Sequence, residues 1–163
     1  MSLSVKFAAP ATLSAVPLVY GLRSAKTLTA EVALLSHDEI LDALREGRVD
    51  VALLSSDVAR AAEGVKIVTD FCVAPAEKGG SLSLADEWGV APDVPVYGVL
   101  IAREDTPLEV LDEIEKALTC GVERIYEALL SQAECPKIED YTYLTTTVDY
   151  LFDAKKHTAL EAH

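Results

Sequence analysis

From Val5 to Leu54 the chain alternates short apolar runs with amphipathic stretches, and the two periods predict strands and helices in turn. Val5 to Ala8 reads as a short buried strand, followed by the loop Ala9 to Thr12. Val16, Leu18, Val19 and Leu22 give the segment Ser14 to Leu22 one apolar helical face. Leu28 to Leu35 alternates in part and is rich in strand-favouring residues. Ser36-His37-Asp38-Glu39 predicts a capping box, with Ser36 bonding the backbone N–H three residues on and Glu39 reaching back. Ile40, Leu41 and Leu44 then form a buried stripe, Gly47 ends the helix, and Val49 to Leu54 is the next strand. A β-α-β-α-β order of this kind implies parallel strands joined by right-handed crossovers.

Beyond this point the pattern changes. Asp57 to Ala62 reads as one helical turn, and Val65 to Val73 as a strand. Pro75 to Ser81 is a loop by composition, Leu82 to Trp88 suits either a strand or a short helix, and Val94 to Ala102 reads as an antiparallel strand. Thr106-Pro107-Leu108-Glu109 combines a cap, a proline at the first helical position and the capping glutamate. Leu108, Leu111, Ile114, Leu118, Val122, Ile125 and Leu129 then predict a single long helix with one continuous apolar face. Gly121 inside it costs about 1 kcal/mol relative to Ala, which predicts close packing against a neighbour. After Pro136, the spacing of Ile138, Tyr141, Leu144, Val148 and Leu151 predicts another helix, so the chain is helical from about 107 onward. No repeat or linker divides residues 1–163, and they read as one three-layer α/β/α domain on a mixed, mostly parallel sheet.

Charge narrows the partners. The 163 residues carry a formal net charge of −13, a surface that repels nucleic acid phosphates and anionic membranes alike. Nothing approaches the ~18 apolar residues of a membrane span, and no leading segment resembles a signal peptide. Cys72, Cys120 and Cys135 are odd in number and lack metal spacing, so they read as buried free thiols in a reducing cytoplasm. His37, His157 and His163 have no companions at ligand spacing and are expected at the surface. No metal or cofactor is therefore implied.

What remains is a set of loops whose polar groups come from small residues. In open α/β sheets, ligands bind just outside the carboxyl ends of the strands. Thr12 and Ser14 follow the first strand, Ser55 and Ser56 end the third, and Gly80 and Ser81 lie in the Gly-rich loop. These six could present hydroxyls and backbone N–H groups to a carboxylate-bearing small molecule. Lys78-Gly79-Gly80-Ser81 suits an anion-binding nest or a plain hairpin loop. Trp88 beside Asp86 and Glu87 suits a sugar platform or, as lone tryptophans more often do, the core.

The motifs, in order, resemble those of the periplasmic-binding-like enzymes of the futalosine pathway to menaquinone, chiefly chorismate dehydratase. Ala11 to Leu22 is similar to the family's opening S-Y-L-N-T-R-P-L-V-Y-G-L, and Leu44 to Ser56 to its L-x-x-G-E-L-D-V-A-L-[LV]-P-S. Phe71 to Ala74 with Gly79 to Leu84, and Leu84 to Trp88 with Pro95 to Leu100, resemble its later motifs. The family is longer and has two lobes, whereas here the motif leaving the first lobe meets the returning one at Leu84-Ala85. Ser14 and Val16 stand where the family's asparagine and arginine fall. The resemblance implies one lobe of a type II periplasmic-binding-like fold. It points to a non-catalytic cytoplasmic module for a small carboxylate, associating as a homodimer through surface a second lobe would cover. The alternatives are a lyase acting on chorismate or a related acid, and a protein-interaction or regulatory domain.

Overall fold

In a computed structural model, which describes residues 3–59, 62, 64–76, 80–132 and 135–162, six strands form one mixed sheet between two helical layers. Strands β1 (Leu3–Ala9), β2 (Leu28–Leu34) and β3 (Val51–Ser55) are parallel, with β1 between the other two. A 3-10 turn at Leu13–Ala15 leads into α1 (Val16–Arg23), and α2 (His37–Arg45) connects β2 to β3. Successive strand residues face opposite sides of the sheet, and this assigns the two helices to opposite layers. Val5, Phe7 and Ala9 share a core with Leu18, Val19 and Leu22 of α1. Ala8, Ala52 and Leu54 share the other with Ile40, Ala43 and Leu44 of α2.

After the short α3 (Ser56–Ala59) come β4 (Val65–Pro75), α4 (Leu82–Trp88) and β5 (Gly98–Arg103). The C-terminal part adds α5 (Leu108–Glu123), α6 (Ile125–Leu130), α7 (Ile138–Thr146), β6 (Val148–Leu151) and α8 (Ala154–Ala162). The spatial order is β2-β1-β3-β5-β4-β6, with β5 antiparallel to both β3 and β4, and β6 antiparallel to β4. Four strands thus point one way and two the other. Leu84 and Ala85 are buried in the middle of α4, a single helix joined to β5 by the loop 89–97.

Several expectations need correction. The long C-terminal helix is two, because Arg124 leaves the helical region at φ −126° and ψ 48°. Its apolar periodicity continues across the break because α6 also packs on α1. Leu108 lies 71% exposed at the helix start, beyond the core. Pro107 is the N-cap itself, and Thr106 points instead at the Asp50 carbonyl. The last predicted helix ends at Thr146, and Val148 to Leu151 is a strand on β4, with Val148 and Tyr150 buried on alternate positions. In the capping box, Ser36 Oγ accepts from the Glu39 N–H at 3.3 Å as expected, but the Glu39 carboxylate takes the Ser36 hydroxyl at 2.8 Å. Only Cys72 is a buried thiol, its pKa pushed up to about 12 by burial, whereas Cys135 is exposed.

Gly121 meets its expected neighbour. A Cβ there would lie 2.1 Å from the Pro17 carbonyl oxygen, and one on Gly21 would lie 2.2 Å from that of Ala117. The two glycines let α1 and α5 approach backbone to backbone, which fixes α1 and the loop before it.

Candidate functional site

In the order β2-β1-β3, the chain leaves β1 toward one side and returns on the other, so a crevice opens outside the carboxyl ends of β1 and β3. In this chain α4 fills it. Trp88 is completely buried, and its indole N–H donates to Ser14 Oγ at 2.8 Å. The ring lies over the start of β5, where a Cβ on Gly98 would come within 2.7 Å of it. The Trp88 reading as core is the observed one.

Glu87 reaches into the same crevice. Its Oε1 accepts both the backbone N–H and the hydroxyl of Ser14, each at 3.2 Å, and its Oε2 accepts the Tyr143 hydroxyl. Tyr150 closes the floor by donating to the Ser14 carbonyl at 2.7 Å. Burial raises the pKa of both tyrosines, and the Glu87 carboxylate raises them further, so both stay protonated donors. Ser14 gives its single hydroxyl proton to Glu87, so Thr12, 3.4 Å away, donates to Ser14 Oγ.

The other expected site residues are placed as follows. Ser56 donates to the Val96 carbonyl at 2.7 Å. Ser55 is buried with a hydroxyl that has no hydrogen-bond partner among the described residues, while its N–H donates to His37 Nδ1 at 3.4 Å. Ser81 caps α4 through the Leu84 N–H at 3.3 Å. Gly80, at φ 92°, sits where a Cβ would lie 1.9 Å from the Pro92 oxygen. The nest reading of Lys78 and Gly79 falls outside the described residues.

His37 corrects the surface expectation. It is half-buried, with its ring 5.5 Å from that of Trp88. Burial lowers its pKa, against the opposing pull of the Glu87 carbonyl and the Asp38 charge. An imidazole that accepts at Nδ1 carries its proton on Nε2, so the ring is a neutral strut between β3 and α4. His157 and His163 lie outside what is described of the side chains.

Thr12 also lines an open cavity of about 310 Å³ beside the carboxyl ends of β1 and β2. Val16, Val19 and Arg23 recur on one face of α1 and form its wall, with Leu34 and Gln132 opposite. Arg23 makes no ion pair among the described residues. Exposed Arg23 at the edge of largely apolar walls, with Thr12 and Gln132 also lining the cavity, suits a small acid with an apolar body. A larger cavity of about 490 Å³ between α5, α7 and β6 is mostly apolar, and among the described residues its charged lining is Glu123 and Asp149. It suits a carboxylate poorly. Sequence reading missed Arg23, although its position seven residues after Val16 on the same helical face carried the signal.

No protein-family model matches the chain, and no curated protein matches it either. Solved structures do. The Candida albicans CA3427 gene product, described as defining a family with the generic periplasmic binding protein fold, is 12% identical, with 98% of this chain and 89% of that chain covered and a TM-score of 0.62. Protein AF1704 from Archaeoglobus fulgidus is 10% identical, with 97% and 94% covered and a TM-score of 0.68. An OxyR variant from Corynebacterium glutamicum is 12% identical, with 80% and 68% covered and a TM-score of 0.50. The shared property is the fold: an α/β lobe like those of periplasmic binding proteins.

Proposed function

We propose that the chain is a non-catalytic module that binds a small carboxylate-bearing molecule in the cavity lined by Thr12, Val16 and Arg23. The observation that carries this reading is exposed Arg23, without an ion pair among the described residues, on the wall of a largely apolar cavity. On a chain of net charge −13, such a cation is where an acid would be drawn. The volume, near the lower end of ligand pockets, favours a single-ring or short-chain acid.

The kinship with the futalosine-pathway enzymes is part of this proposal. Its support is the ordered run of similar motifs, and it makes chorismate or a related acid the first ligand to try. A lyase would need a base, and the acceptor nitrogen of His37 is already engaged by Ser55. The three free cysteines suit a reducing compartment, and we place the protein in the cytoplasm as a homodimer on that basis and on its exposed apolar surface.

The test is thermal unfolding against chorismate, prephenate, shikimate and simple aromatic acids. A specific ligand at one hundred times its dissociation constant stabilises the native state by about 2.7 kcal/mol. One acid should raise the Tm of the wild type and leave that of Arg23→Gln unmoved. Failure of every acid, or an undiminished shift in Arg23→Gln, overturns the reading and turns the search to protein partners. Consumption of chorismate by the wild type would make the protein a lyase.

A further inference from the structure

The Glu87 carboxylate is held by donors from two distant parts of the fold, and no salt bridge reaches it among the described residues. The Ser14 N–H and hydroxyl serve one oxygen from the turn after β1, and the Tyr143 hydroxyl serves the other from α7. The Ser14 donors are fixed independently of the Glu87 carboxylate. Ser14 is buried and bonded to Trp88 and Tyr150, and α1, which follows its turn, is locked to α5 by the paired glycines. A half-buried carboxylate without a counter-charge is held by hydrogen bonds alone, and this arrangement provides three.

We propose that the crevice at the β1–β3 switch point is a carboxylate-binding site whose occupant is the chain's own Glu87. The donors are arranged for any small monocarboxylate, and α4 keeps one there permanently. External acids are excluded from this crevice in the wild type. The inference is independent of the Arg23 cavity, whose lining includes none of Ser14, Glu87 and Tyr143.

Truncation gives a direct test. Glu87→Ala removes one methylene and the carboxylate, the atoms that acetate restores. The Tm of Glu87→Ala should fall by about 4 °C or more, because the orphaned donors lose their acceptor. Sodium acetate should then recover at least half of that loss in a saturable way. Sodium chloride at equal ionic strength and neutral acetamide should not. The wild type should respond to acetate no more than to chloride.

Glu87→Gln fills the space without the charge, so it should be less stable than the wild type and gain nothing from acetate. If Glu87→Ala unfolds outright, recovery of a cooperative transition in acetate alone is the supporting result. An acetate effect no greater than that of chloride, or a Glu87→Gln variant as stable as the wild type, overturns the proposal. Neither result bears on whether Arg23 binds an acid.

Discussion

His37 shows how far a residue's role depends on what folds against it. Its sequence neighbours predict a solvated first helical turn, yet Ser55 from β3 and Trp88 from α4 enclose it. The consequence is a pH dependence of known sign. Burial lowers the folded-state pKa below the ordinary 6.5, so between those two values the unfolded chain binds a proton that the folded chain does not. Stability from this residue is therefore fully present above pH 6.5 and is lost as pH falls through the folded pKa. His37→Asn keeps an acceptor for Ser55 but does not titrate. The Tm of the wild type minus that of this variant should rise with pH up to roughly 6.5 and stay flat above it. A difference that is flat across the whole range would show that the imidazole titrates as it does in solvent. Subtraction removes the carboxylates, which are common to both proteins. The same residue scale limited the reading of the site. Small hydroxyls at strand ends were legible as Ser14, Ser55 and Ser56. What they bond to was not, because Ser14 meets Glu87 and Trp88 from more than seventy positions away.

Among the elements, the crossing of α1 and α5 is the most exacting. In Gly121→Ala the new methyl would meet the Pro17 carbonyl at 2.1 Å, a backbone atom that cannot rotate away. Alanine gains about 1 kcal/mol of helix propensity over glycine. Separating the helices against a backbone atom should cost about 3 kcal/mol, the upper end for overpacking, and so outweigh that gain by about 2 kcal/mol. Urea unfolding should show this as a lower midpoint at unchanged slope, and a midpoint at or above the wild type would sink the claim. This contact was legible in outline, since a glycine inside an apolar helical face calls for a reason. The alternation of β1, β2 and β3 with α1 and α2 was legible too, because each element buries one face and its period survives in the sequence. Periodicity misled where tertiary pairing intervenes. The spacing from Ile138 through Leu144 to Val148 fits a helix, yet Ile138 is 76% exposed and Val148 already belongs to β6. Thr145 to Thr147 keep helical angles, and the chain turns extended only at Val148, where β4 offers an edge to pair with and burial alternates on Val148 and Tyr150. Arg124 carries no signal of the break between α5 and α6.

At the scale of the whole molecule, apolar exposure and charge compete. Tyr126 and Leu130 lie one turn apart on α6, Ile138 and Tyr141 one turn apart on α7, and all four are exposed. Tyr126 and Tyr141 meet edge to face at 6.1 Å, so the two helices present one continuous apolar ridge. Covering such a ridge with a second copy removes it from water, and a two-fold axis lets the same patch serve both partners. Each partner also carries a net charge of −13, and bringing two such charges together is unfavourable. Salt screens the repulsion and leaves the apolar contact intact, since the Debye length falls to about 3 Å at 1 M. Dimerisation through this ridge should therefore tighten as sodium chloride rises, whereas a dimer held by ion pairs would loosen. Sedimentation velocity at micromolar concentration distinguishes the two. The double variant Tyr126→Ser with Ile138→Ser should stay monomeric at every salt concentration while unfolding at nearly the wild-type temperature. A wild type that is monomeric throughout, or a double variant that still dimerises, would remove this ridge from any account of assembly.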